Sequence, residues 1–117
     1  MKGNVEVLTV LNQLLAGELM AADQYLLHGE MYADMGLQKL AEHSLHESEH
    51  ERQHARDIVQ RILFLEGKPD VATRHDMTTG TNVPDMLKND LAIEYQVVGA
   101  LKSAVVLCEQ KQDFVTR

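Results

Sequence analysis

The stretch HESEHERQHA, residues 46–55, puts three histidines and three glutamates into ten residues. Its flanks carry the apolar repeat of a long helix, so the run is either a solvated face or a set of ligands turned toward a core. Helical geometry separates the two. At ~100° per residue, with His54 as origin, Leu40, Glu47, Ile58 and Leu65 fall within about 40° and Glu51 at about 60°. The charged run therefore continues the buried stripe. Glu42 and Glu49 keep the ordinary reading of solvated helix residues.

The neighbouring segments show the same pattern. In the first, Val7, Leu11, Leu14, Ala22 and Tyr25 lie within about 40° of Glu18. In a third, Leu87, Val98, Leu101 and Val105 lie within about 40° of Glu94. Each carboxylate is central to an apolar stripe. Desolvating a charge costs several kcal/mol, and converging carboxylates repel one another as well. The stripes hold no lysine to compensate, so a polyvalent cation is the expected partner. Counting ~1.5 Å of rise per residue from the first turn brings Glu18, Glu51 and His54 to one level near mid-bundle.

The spacing Glu51-x-x-His54 places both side chains on one face. Bridging carboxylates with an imidazole suit iron or manganese, whereas zinc favours more nitrogen and sulfur and calcium more carbonyl oxygen. One E-x-x-H pair on each of two helices, with one Glu from each of the other two, is the carboxylate di-iron arrangement of a bundle. E-x-x-H alone is a weak motif; with core-centred Glu18 and Glu94 it is a strong one.

Periodicity predicts helices over about 4–35, 39–66 and 83–112 within one domain, 1–117. MGLQ at 35–38 is a short turn, which makes the first two helices an antiparallel hairpin. Gly67 is the expected C′ residue of the second helix, and Pro69 forbids its continuation. Residues 67–82 lack periodicity and form a long connection. Asn82 caps the third helix, with Pro84 in its first turn. QDFVTR, 112–117, reads as a turn entering another helix. The fold class is all-α, a four-helix bundle with a long crossover, of which this chain supplies three long helices.

Eleven basic against eighteen acidic residues give a net charge of −7, which disfavours nucleic acid and anionic membranes as partners and suits cations. One cysteine, Cys108, excludes an internal disulfide framework and fits a reducing compartment. No apolar run is read as membrane-spanning, and the N-terminus lacks a signal-peptide core, so the expected location is cytoplasmic.

The sequence resembles the bacterioferritins, of the haem-poor, ferritin-like kind. The resemblance covers the whole chain through LNQLLAGELMAADQYLLH (11–28), HESEHERQHARDIVQRILFLEG (46–67), VPDMLKNDLAIE (83–94) and LCEQKQDFVTR (107–117). It implies a ferritin-like bundle in a shell of about twenty-four subunits that oxidises Fe(II) with O₂ or peroxide and stores Fe(III) mineral. It also implies that Glu18, Glu51, His54 and Glu94 are the ferroxidase ligands, with Tyr25 beside them. His46, Glu47 and His50 read either as a second iron site toward the cavity or as ordinary polar residues near the helix start.

Two departures qualify the resemblance. The family's haem-binding methionine position holds Arg52, which is no thioether ligand, so a bis-methionine haem b is not expected between copies of this chain. Arg52, Val59 and Leu63 lie at about 140–180° from His54, an outward face suited to a dimer contact. Met20, Leu27 and Met31 are read as a similar outward stripe on the first helix. The family's fourth helix, with the second E-x-x-H pair, is missing from this sequence. The chain is thus read as a ferroxidase subunit or, alternatively, as a structural shell subunit with an incomplete metal site beside complete subunits.

Overall fold

The computed structural model describes residues 2–113 and 116. Three helices account for most of them: α1 (Val5–Asp34), α2 (Gln38–Phe64) and α3 (Val83–Gln110). No strand occurs among the described residues. They form an elongated body of 49 × 21 × 21 Å.

Local chemistry sets each helix end. The Asn4 side chain accepts from the backbone N–H groups of Glu6 and Val7, satisfying donors that a first turn leaves free. Asn82 does the same for Asp85, with proline in the first turn of α3. All three helices stop in the same way: the residue after the C-cap turns left-handed, and two amides reach back to orphan carbonyls. In α1 that residue is Gly36 (φ 79), with Gly36 N–H donating to Ala33 O and Leu37 N–H to Tyr32 O.

The stop of α2 differs from the expectation at Gly67. Glu66 takes the left-handed conformation (φ 60), while Gly67 N–H donates to Ile62 O at 2.9 Å. Space at 67 is also tight, because a Cβ there would meet Leu8 Cδ2 at 2.6 Å and push that side chain aside. The turn expected over 112–117 falls partly on Phe114, Val115 and Arg117, outside the described residues. Gln112 (φ 58) ends α3, and Thr116 N–H donates to Asp113 Oδ1 at 3.2 Å.

The hairpin of α1 and α2 leaves the chain at the end near Gly3, whose N–H donates to Leu65 O. The crossover then runs back along α1, anchored to it in order. Asn12 binds Lys68 O and Asp70 N–H, Asp23 pairs with Arg74, Gln24 accepts from Thr78 N–H, and His28 accepts from Gly80 N–H. The return delivers α3 beside the far end of α1, where Met86 packs with Tyr32 and Ala41. At the other end Cys108 packs among Val7 and Leu11. Hence α3 runs antiparallel to α1 and parallel to α2, a relation that only a long crossover can make.

The core sits on α1, which packs against both other helices. Leu15, Ile62 and Leu65 are completely buried. Two sequence expectations change here. Met20 is buried with Ala21, Tyr25 and Ile93 and does not join an outward stripe; Leu27 is exposed and Met31 half-buried. On α3, Leu87, Val98, Leu101 and Val105 are 37–47% exposed, so the stripe around Glu94 faces an open groove. The buried face of α3 is the adjacent one, Met86, Ile93, Ala104 and Cys108.

A third correction concerns hydropathy. By length and composition α1 and α3 are both apolar enough to cross a membrane, although charges interrupt every pure apolar run. About half of that stretch in α1 is buried in the bundle core, whereas the stretch in α3 is largely exposed.

Candidate metal centre

Glu18 on α1 and Glu51 on α2 face each other in the core, 2% and 6% exposed. Two α2 serines hold the helices this close. Ser44 Oγ donates to Tyr25 O at 2.8 Å and Ser48 Oγ to Ala22 O at 2.7 Å, both on the hairpin-turn side of the Glu18 and Glu51 level. His54, one turn beyond Glu51, reaches in from the open side. Its Nδ1 lies 3.5 Å from Glu18 Oε2 and 3.6 Å from Glu51 Oε2. Its ring remains 53% exposed, so the inward position expected from the helical wheel is an edge position. Among the described residues, α3 packs on α1 and not on α2, which leaves that edge open.

Glu94 comes from α3 and is partly exposed on the groove. The Tyr25 hydroxyl donates to its Oε1 in a short hydrogen bond. Burial holds the Tyr25 phenol above its usual range, helped by that bond and by the carboxylates of Glu94, Asp90 and Glu51. It therefore stays a neutral donor to Glu94.

The donor atoms form two adjacent sets. Glu18, Glu51 and His54 bring one ligand atom each within 4.8 Å of one another, and so do Glu47, Glu51 and Glu94. Glu51 belongs to both sets. The helical wheel puts Glu47 on the buried stripe within about 40° of His54, and the family resemblance groups it with His46 and His50; the folded chain also brings it to Glu51 and Glu94. The signal was present, since Glu47 and Glu51 are one turn apart on α2. His46, Glu47 and His50 form a third cluster, more exposed, in which the rings of His46 and His50 are 4.9 Å apart. Arg52 is exposed on α2, as are Leu63 and Phe64.

Electrostatics indicate what the core sets require. The Oε2 atoms of both Glu18 and Glu51 are buried without a hydrogen-bond partner. Burial, then the hydrogen bond and charge of Glu51, then the charge of Glu94 push the Glu18 carboxyl up to about 9. Buried acceptors without donors are costly. A divalent cation would satisfy both lone pairs and cancel the repulsion, and an oxygen-rich set with one imidazole fits iron or manganese. The residues present fit such ions.

Sequence reasoning passed over a second buried polar group close by. Gln24 and His28 on α1 both hydrogen-bond to Asp90 Oδ1 on α3. The available signal was the spacing Gln24-x-x-x-His28, which stacks two polar side chains on one side of a largely apolar helix.

Comparison with known proteins agrees with this architecture. Residues 8–117 match the family described as Ferritin-like domain. The whole chain is 47% identical to the "Bacterial ferritin" of Synechocystis sp. and 50% identical to that of Pseudomonas aeruginosa, covering 75% of each. Over 116 residues it is 43% identical to the "Bacterioferritin" of Mycolicibacterium paratuberculosis, covering 73% of that protein. A three-helix bundle with core carboxylates, a long crossover and this similarity belongs to one family: the chain is a member of the ferritin-like family, among the bacterial ferritins.

Proposed function

We propose that the protein stores iron and oxidises it as a ferroxidase, with Fe(II) as substrate at a two-ion centre formed by Glu18, Glu51, His54 and Glu94. The observation that carries this reading is the pair of buried, unpartnered Oε2 atoms of Glu18 and Glu51 beside His54 Nδ1. Glu51 would bridge, Glu18 and His54 would hold one ion, and Glu94 with Glu47 the other. Each Fe(II) gives up one electron; the two together reduce O₂ to peroxide, or peroxide to water. Tyr25 orients Glu94 through its hydroxyl. Displacing the proton from Glu18 is part of binding, since a coordinating carboxylate must be ionised.

The Fe(III) product passes to a mineral core inside a 24-subunit cytoplasmic shell, by way of His46, Glu47 and His50 on the more exposed edge of α2. Arg52 makes a bis-methionine haem b at a two-fold contact of this chain incompatible with the ligand chemistry. A fourth helix bearing a second E-x-x-H pair closes the α3 groove and completes the second ion's ligands.

The alternative, a structural shell subunit with an incomplete site, is favoured by one observation. The Glu47, Glu51 and Glu94 set contains no imidazole. Stopped-flow absorbance of Fe(II) oxidation separates the two readings. The ferroxidase reading expects rapid oxidation that falls by about a hundredfold or more in Glu18→Ala and His54→Ala. Unchanged rates in both variants would exclude it, and slow oxidation rescued only by complete bacterioferritin subunits would favour the structural role.

A further inference from the structure

Gln24 and His28 stand one turn apart on the side of α1 that faces α3, and both are completely buried. Neither belongs to the donor sets. Polar side chains are tolerated in a core only when their groups are hydrogen-bonded, and here they are. Gly80 N–H donates to His28 Nε2 at 3.2 Å, so Nε2 carries no proton. His28 Nδ1–H therefore donates to Asp90 Oδ1 at 2.9 Å, which fixes one neutral tautomer. Gln24 repeats the arrangement: its Nε2–H donates to Asp90 Oδ1 at 3.0 Å and its Oε1 accepts from Thr78 N–H at 3.2 Å. Gly80 lies so close to the start of α3 that a Cβ would meet Met86 N at 2.7 Å.

Asp90 is one turn before Glu94 on the same face of α3. A slip of α3 by one turn, ~5.4 Å, would carry Glu94 away from Tyr25 and Glu51. Apolar packing resists such a slip weakly, because it is non-directional and α3 buries only Met86, Ile93, Ala104 and Cys108. Directional buried hydrogen bonds are the device that sets register.

We infer that His28, assisted by Gln24, is a positioning residue for the metal centre: its hydrogen bond to Asp90 sets the register of α3 on α1 and so delivers Glu94 to Tyr25 and Glu51. The inference rests on the metal-site reading above.

The test is a Co(II) titration of the full chain by visible absorbance, with hydrogen exchange over residues 78–94 by mass spectrometry. His28→Leu is expected to weaken Co(II) binding by about tenfold or more, to change the absorption band and to speed exchange in α3. His28→Asn still offers an N–H toward Asp90 and should recover most of the affinity and the band, leaving only the segment around Gly80 exchanging faster. A folded His28→Leu with the affinity, band and exchange of the unmodified chain overturns the inference. If that variant does not fold, the Asp90 pair decides. Asp90→Asn keeps an acceptor oxygen and should bind Co(II) normally, Asp90→Ala should not, and equal binding by the two overturns the inference. Absence of Co(II) binding by the unmodified chain would overturn the metal-site reading instead. The exchange comparison would then still decide whether His28 sets the register.

Discussion

The seam between α1 and α2 and the seam between α1 and α3 share one helix and are built by opposite means. Along the first, small residues bring the backbones together. A Cβ on Gly29 would meet Leu45 Cδ2 at 2.6 Å, and Ser44 and Ser48 reach backbone carbonyls of α1 directly. Completely buried Leu15, Ile62 and Leu65 supply the hydrophobic energy. Along the second, α3 buries few apolar side chains and leaves Leu87, Leu91 and Tyr95 47–72% exposed. Polar rungs take over, Gln24 and His28 to Asp90 and Tyr25 to Glu94. The first seam derives its stability from burial, the second its register from directional bonds. A site assembled across both therefore has a rigid half, Glu18 and Glu51, and an adjustable half, Glu94.

The comparison breaks most visibly under truncation of apolar side chains. Leu15→Ala, at the centre of the first seam, should cost about 3 kcal/mol in urea denaturation. Leu91→Ala, on the open face of α3, should cost less than about 0.5 kcal/mol. Equal costs would mean that α3 is as well packed as α1.

Hydrogen exchange sharpens the same contrast. Amides of α3 around 95–106 should exchange at least about a hundredfold faster than those of α1 around 11–25. Adding a helical peptide with an E-x-x-H pair should slow exchange in α3 by filling its apolar groove. Exchange in α3 as slow as in α1, without any addition, would contradict the open seam.

Protons report on the rigid half. The Glu18 carboxyl is raised from 4.5 to about 9 in the folded chain, so its favourable contribution is fully present below pH 4.5 and lost as pH rises toward about 9. Metal binding runs the other way, because the ion needs the carboxylate. Co(II) affinity should rise by about tenfold per pH unit through the neutral range, with one proton released per chain from this group. A pH-independent affinity would show that Glu18 is ionised before the metal arrives.

The smallest expected effect lies in the polar part of the first seam. Ser48→Ala removes the bond to Ala22 O and should cost about 1 kcal/mol in the same urea titration, leaving the metal-site readouts nearly unchanged. A larger loss in Co(II) affinity than in stability would move Ser48 into the site's supporting frame.

Much of this was legible in the sequence because helical periodicity is local. The 3.6-residue repeat puts Glu18 and Glu51 on apolar stripes, and both side chains are buried. Asn82 and Pro84 mark the start of α3 for equally local reasons. The wheel misplaced Met20 because one helix can carry two buried faces, and α1 packs against α2 and α3 at once. Gly67 was read as a left-handed stop, yet Glu66 takes that conformation, and Gly67 packs closely beside Leu8. That contact comes from a residue far away in sequence, at the start of α1.

The sequence by itself determined three amphipathic helices, their connections and the glutamates and histidine at helical spacing, since each depends on neighbours within a few residues. Tertiary structure alone decided which stripes are covered, that Glu47 joins Glu51 and Glu94, and that His28 and Gln24 bind Asp90. These depend on the rotation and axial register of one helix against another. Side chains dozens of residues apart fix that geometry, and no local period encodes it.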